Sequence, residues 1–290
     1  MIAAPRRSYS VPLPGRVPLV LGPRTLVMGV INITPDSFSD GGLALDPGHA
    51  VEIAVAMEAA GADIIDIGAE STRPGATPVG TAEELARVGP VLRAVAKRVG
   101  VPISIDTYKC EVAELALGEG VSIVNDISGL RYDPRLATLT AARDAPIVLM
   151  HTRGRPQDMY AHADYQDVVG EVSADLQRAV DRALAAGISR DRIMLDPGLG
   201  FAKHAAQSLA LLAGLERLTT LGFPLLVGPS RKSFLTALTG PVSPDARDWP
   251  TAAAVTVAIL GGAHIVRVHR VAEMVHVVRL ADAIRDALPG

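Results

Sequence analysis

Eight short apolar runs, at 25–32, 63–67, 102–106, 121–125, 146–150, 192–196, 224–228 and 264–268, alternate with helix-like patterns near 47–60, 82–99, 109–118, 134–143, 165–186, 206–221, 248–261 and 271–287. A run such as Thr25-Leu26-Val27-Met28-Gly29-Val30-Ile31 has no polar alternation, which is how a strand buried on both faces of a parallel sheet reads. Eight strand–helix repeats predict an α/β chain folded as a (β/α)8 TIM barrel, whose usual length is roughly 250 residues. A doubly wound open sheet is the competing arrangement. Aromatics make up only 3% of the chain against 49% hydrophobic residues overall, so the core is expected to be aliphatic. No composition shift cuts the chain, and residues 25–290 are expected to form one barrel domain. Pro5, Pro12, Pro14 and Pro18 make residues 1–24 read as an N-terminal extension, poorly ordered or pinned to the surface, with no uninterrupted signal-peptide core.

A barrel of this kind carries its working residues at the C-terminal ends of the strands. Those ends hold Asn32, the loop Glu70-Ser71-Thr72-Arg73-Pro74-Gly75, Asp106, Asn125-Asp126, Met150-His151, Asp196, Ser230-Arg231-Lys232, and Arg267 with His269. One polar strand end is ordinary, because Asp or Asn often caps the next helix. Eight of them converging on one rim point to a small polar ligand.

The residue types narrow that ligand. Asp126 and Thr107 read as caps, and Asp66 within Asp63-Ile64-Ile65-Asp66-Ile67-Gly68 reads as a structural acceptor inside the barrel. Asp106, Asn125 and Asp196 together suit a flat heterocycle rich in N–H donors, since ionised carboxylates only accept hydrogen bonds. Met150 and Phe201 could pack on such a ring or simply belong to the core. Gly228-Pro229-Ser230-Arg231-Lys232-Ser233 is either an anion cradle or a plain connection. Arg267 and His269 lie two apart on one strand face and, with Asn32, make a plausible pyrophosphate site. Arg73, in a loop shaped by Pro74 and Gly75, could clamp an anion. The long polar loop after the first strand, carrying Phe38, reads as either a working loop or a flexible connector.

Net charge of −3 leaves no electrostatic footprint for nucleic acid or an anionic membrane, and no stretch is long and apolar enough to span a bilayer. The single cysteine, Cys110, excludes an intramolecular disulfide. His151 and His162 show no third ligand at zinc spacing. A soluble, cytoplasmic protein is the expectation.

Asn32-Ile33-Thr34-Pro35-Asp36-Ser37-Phe38-Ser39-Asp40-Gly41-Gly42 resembles the first signature of the dihydropteroate synthase family, and further matching blocks run to His269. The resemblance implies a pterin site at Asp106, Asn125, Ile127, Met150, Asp196, Phe201, Gly228 and Lys232. It implies a p-aminobenzoate site at Thr72, Pro74 and Ser233, completed by Phe38 when its loop closes, with Arg73 beside it as a further substrate-binding residue. It also implies a pyrophosphate site at Asn32, Arg267 and His269, with Asn32 touching Mg²⁺. Asp106, Asp196, Lys232, Arg267 and His269 would be the catalytic set. The family joins 6-hydroxymethyl-7,8-dihydropterin pyrophosphate to p-aminobenzoate in an SN1-like reaction, and a homodimer is the family expectation. One departure stands out: Arg270 follows His269 where the family usually has Asp. Two other readings share the pterin-binding barrel, namely a corrinoid-linked methyltransferase and a catalytically silent pterin-binding paralogue. The Asp36–Gly42 loop and the Ser-Arg-Lys block speak against the first, and the intact polar set speaks against the second.

Overall fold

The computed structural model describes residues 3–4, 6–33, 46–237, 240, 243 and 245–288. An antiparallel hairpin of β1 (Tyr9–Leu13) and β2 (Arg16–Leu21) comes first. After it the chain alternates: β3 (Leu26–Asn32), α1 (Pro47–Ala59), β4 (Ile64–Gly68), α2 (Thr81–Val95), β5 (Ile103–Asp106), α3 (Cys110–Gly118), β6 (Ile123–Asp126), α4 (Arg135–Ala142), β7 (Ile147–Met150), α5 (Val168–Ala185), β8 (Ile193–Asp196), α6 (Ala205–Ala213), β9 (Leu226–Val227), α7 (Asp248–Leu260), β10 (Ile265–Val268) and α8 (Val271–Ala287).

Strands β3 to β10 pair in parallel in the order β8-β7-β6-β5-β4-β3-β10-β9. A parallel bridge between Leu195 and Leu225 joins the two ends, and the Leu195 N–H donates to the Pro224 carbonyl at 2.9 Å. The sheet therefore closes into the expected barrel, and the open doubly wound alternative is ruled out. Every residue of β3 except its last is buried, one set facing the barrel interior and the other facing helices. Helix α5 shows how the outer layer docks. Val168, Val172, Leu176, Ala179 and Ala183 recur at helical spacing and are buried, while the Asp167 side chain accepts the Gly170 N–H and caps the first turn.

Two segments differ from the sequence reading. The pattern near 206–221 is not one helix: α6 stops at Gly214, and Leu215–Leu221 continue as a 3-10 helix. A Cβ on Gly214 would lie 2.9 Å from Val169 Cγ2 of α5, so the close approach of the two segments demands glycine there. The N-terminal extension is the larger difference. Val11, Leu13, Leu19 and Leu21 of the hairpin pack with Leu26, Met28, Ile64, Ile123, Val148, Met194, Leu226 and Ile265 from the barrel strands. The hairpin plugs the N-terminal mouth of the barrel. Its prolines are tolerated because it is a two-stranded edge structure, with the register irregular between Val11 and Leu13, where Pro12 sits. Fully burying Leu21 alone contributes about 1.5–3 kcal/mol.

Candidate functional site

With one mouth plugged, polar groups gather at the other. Strand register sets them level: Asn32 pairs with Gly68, Gly68 with Asp106, Asp106 with Asn125, and Met150 with Asp196. Each of these residues ends its strand except Asn125, one before the end of β6, and here the chain leaves the ladder and side chains turn over the rim.

The floor of the rim is a charged cluster. Arg267 donates from Nε to Asp66 Oδ2 at 2.6 Å and from one terminal nitrogen to Asp106 Oδ2 at 2.8 Å. Asn125 Nδ2 also donates to Asp66 Oδ2, at 3.0 Å. Burial pushes the Asp106 carboxyl up to about 7 against the pull of Arg267, with Asp66 and Glu84 adding to the push. Asp196 is likewise raised by burial, opposed by the Gly198 N–H that donates to its Oδ1 at 2.7 Å and by Lys232. Asp66 is fully buried and accepts bonds from Asn125 and Arg267, as befits the structural acceptor expected of it. Asp66→Asn would keep one acceptor but bury an amide beside Arg267 in place of a charge. We expect stability to fall by about 1–3 kcal/mol in denaturant titrations, with pterin affinity changed less; a large affinity loss at unchanged stability would refute the structural role.

The walls are apolar on one side and cationic on the other. Tyr108, Ile127 and Met150 form a buried cluster, with Tyr132 and Phe201 packed against it. Lys232 Nζ lies 3.7 Å from the centroid of the Phe201 ring. Part of its surface stays open to the cleft, yet protein crowds it closely enough that burial pushes the ammonium down to about 7, opposed first by Asp196. His269 Nδ1 is 2.9 Å from Ser230 Oγ, which also accepts the His269 backbone N–H at 3.2 Å. Burial and the nearby Arg267, Arg231, Lys232 and Arg73 push the imidazole down to about 3, so it is neutral at pH 7 in a strongly positive corner. Arg231 holds a left-handed backbone at φ 58°, and its guanidinium is braced by Asp248 at 2.9 and 3.0 Å. That turn presents Lys232 to the cleft. A flat ring with N–H groups at one edge, and an anion beside it, is what this arrangement can hold.

The profile described as Pterin binding enzyme matches residues 28–269. Over 277 residues the chain is 48% identical to a dihydropteroate synthase from Synechocystis sp., a match covering 95% of this chain and 96% of that one. This chain belongs to the dihydropteroate synthase family of pterin-binding enzymes. Among solved structures, Xanthomonas albilineans dihydropteroate synthase with 4-aminobenzoic acid superposes with a TM-score of 0.89 at 41% identity, covering 98% of this chain and 100% of that one. The same enzyme in complex with 7,8-dihydropteroate gives 0.85 at 38% identity, covering 97% and 100%.

Against the family's expected sites, the pterin set Asp106, Asn125, Ile127, Met150, Asp196, Phe201, Gly228 and Lys232 falls at one end of the barrel, at the strand ends or in the loops that directly follow them. Arg267 departs from its sequence reading. Two of its nitrogens are engaged by Asp66 and Asp106, so it is the counter-charge of the floor and not a free bidentate clamp beside His269. In the loop after β4, Thr72 is half-buried while Arg73 and Pro74 are exposed, and the Gly75 N–H donates to the Pro156 carbonyl at 2.8 Å. Ser233 is exposed at the start of a short 3-10 helix. Phe38 and most of the signature loop lie outside the described residues. As anticipated, Asp126 caps its own loop, its Oδ1 accepting the Ser128 N–H at 2.8 Å. Thr107 does the same, its Oγ1 accepting the Lys109 N–H at 3.2 Å, and it also donates to Glu84 at 2.9 Å.

Sequence reasoning missed two buried ionic groups. Lys109 pairs with Glu70 and Glu84 and donates to the Val79 carbonyl at 2.7 Å, tying the loop after β4 to α2 and α3. Lys203, His151 and Asp175 form the second. Neither has a local signature, because the partners lie tens of residues apart.

Proposed function

We propose that this chain condenses 6-hydroxymethyl-7,8-dihydropterin pyrophosphate with p-aminobenzoate, giving 7,8-dihydropteroate and pyrophosphate. The observation that carries this reading is the rim itself: acceptor carboxylates at Asp106 and Asp196 and a donor at Lys232 facing an apolar wall, beside a corner of concentrated positive charge. Asp196 and Asn125 would accept from and donate to the pterin edge, and Lys232 would donate to its carbonyl or ring nitrogen. Met150, Ile127 and Phe201 would pack on the ring. As the C–O bond to pyrophosphate stretches, positive charge grows on the pterin methylene. Asp106 and Asp196 stabilise that charge from fixed positions, while His269, Asn32 and the field of Arg267 hold the departing anion. Thr72, Arg73, Pro74, Ser233 and Phe38 would place the arylamine.

Mg²⁺ fits this corner. Asn32 offers one neutral oxygen, and among the described residues no three His, Cys, Asp or Glu side chains gather into a cage. Such a donor set suits an ion that keeps its waters and binds mainly substrate phosphates. When bound, Mg²⁺ would neutralise charge on the leaving pyrophosphate. A homodimer is part of the same reading: α7 and α8 pack together and carry the exposed apolar residues Trp249, Leu280 and Ile284. So is a cytoplasmic location; no described helix is long and apolar enough to cross a membrane.

Turnover with both substrates and Mg²⁺ tests the reading, and formation of dihydropteroate is the expected result. Pterin binding without product would leave a binding protein. A narrower test is Asp196→Asn, which keeps the acceptor for the Gly198 N–H but replaces a charged acceptor facing the ring by an amide. Calorimetry with a pterin lacking pyrophosphate should show affinity weakened about tenfold to a hundredfold. Unchanged affinity would place the heterocycle elsewhere.

A further inference from the structure

Lys203 is 1% exposed and has three neighbours within hydrogen-bonding distance: the Gly198 carbonyl at 3.0 Å, the Phe201 carbonyl at 2.9 Å and His151 Nδ1 at 2.8 Å. On its other side, His151 Nε2 is 3.0 Å from Asp175 Oδ2. Hydrogen-bond counting asks for one extra proton shared between Lys203 and His151. Were Lys203 a neutral amine accepting from Nδ1–H, Nε2 would face the Asp175 carboxylate with no proton between them. An ammonium donating to all three acceptors, with Nε2–H donating to Asp175, satisfies every atom. Burial works against that charge, with Lys232 and Arg153 adding repulsion, while Asp196 and Asp175 support it. Burial also holds the His151 imidazole down, to about 3, so the shared proton rests on Lys203.

The clamp acts on a loop that needs one. A Cβ on Gly198 would lie 1.9 Å from the His151 carbonyl oxygen, and Ala202 holds a left-handed φ of 49°. At its tip stands Phe201, over Lys232. We propose that Lys203 is a positioning residue for the pterin: through the Gly198 and Phe201 carbonyls it sets Phe201 as one wall of the ring site, and the His151–Asp175 pair holds its charge from behind. This rests on the reading that the pterin packs on Phe201.

Lys203→Met keeps length and removes the charge; it leaves the Gly198 and Phe201 carbonyls unpaired, so some loss of stability is expected and a second variant is read beside it. Three quantities are read: the Kd of a pterin without pyrophosphate, the KM for p-aminobenzoate at saturating pterin pyrophosphate, and the melting temperature. The pterin Kd should rise about tenfold, as for loss of an aromatic face, with the p-aminobenzoate KM within about twofold. Asp175→Asn is the second variant. Its side chain is 23% exposed at the edge of a cavity of about 150 Å³ lined by Arg131, Arg178 and Arg182, so it should fold even if the first does not. It should reproduce the same split at about threefold. Phe201→Ala is the reference. If it weakens pterin while both other variants bind normally, the positioning role is wrong and the site reading stands. If Phe201→Ala itself leaves the Kd unchanged, the site reading fails and the inference with it. Equal losses for both substrates with a lowered melting temperature would mark Lys203 as merely structural and overturn the proposal.

Discussion

Arg267→Met should unsettle the rim and abolish turnover together. The arginine bridges Asp66 and Asp106, and its removal leaves two carboxylates facing each other in a largely desolvated site. Breaking a buried pair from one side typically destabilises by about 3–5 kcal/mol, far more than the pair contributes when intact. The two carboxylates would then share a proton, so Asp106 would lose the charge proposed to stabilise the pterin cation. Denaturant unfolding should show the drop in stability, and the folded fraction should have no measurable activity. The variant Arg267→Met/Asp66→Leu removes one charge of each sign. It should recover most of the stability and none of the activity. A stable, active single variant would show that Arg267 is neither counter-charge nor part of the site.

Lys232→Ala should leave the fold intact and still lose most activity. The Lys232 ammonium is packed against the Phe201 ring, and among the described residues no acceptor bonds it. Its donor capacity is unspent among the described residues, so its loss falls on ligand and transition state. A charged donor in such a site is worth about 2–4 kcal/mol, or roughly 30- to 1000-fold in kcat/KM. Its pH behaviour gives a second handle. Burial brings the free-enzyme ammonium to about 7, and only the charged form donates to a pterin acceptor. Pterin affinity should therefore fall as pH rises above 7 and the ammonium is lost, while protonation of Asp106, also near 7, opposes binding on the acid side; the falling limb should be absent from the variant. Wild-type-like kcat/KM in Lys232→Ala would defeat the assignment.

Much of this chain can be read without coordinates, for a physical reason. Strands buried on both faces announce themselves locally, as in Leu26–Ile31, and helices such as α5 carry their own period and cap. Eight such repeats leave few ways to bury them all, and a barrel then dictates that Asn32, Asp106, Asn125, Met150 and Asp196 share one rim. The hairpin at residues 9–21 was hidden because prolines mask a two-stranded signal that only the barrel mouth makes worthwhile.

The electrostatics belong to a different class of information. Arg267 meets Asp66 across 201 positions of sequence and Asp106 across 161, and nothing local to any of the three announces the pairing. The neutral state of His269 and the raised carboxyl of Asp106 arise from desolvation, which exists only once the chain has closed around them. The same holds for the Lys203–His151–Asp175 relay, whose members come from the loop after β8, the end of β7 and the middle of α5. Local periodicity and strand-end chemistry determined the barrel and which residues reach its rim. Distances across the closed barrel, and the exclusion of water within it, decided which of those residues are paired and how their charges are set.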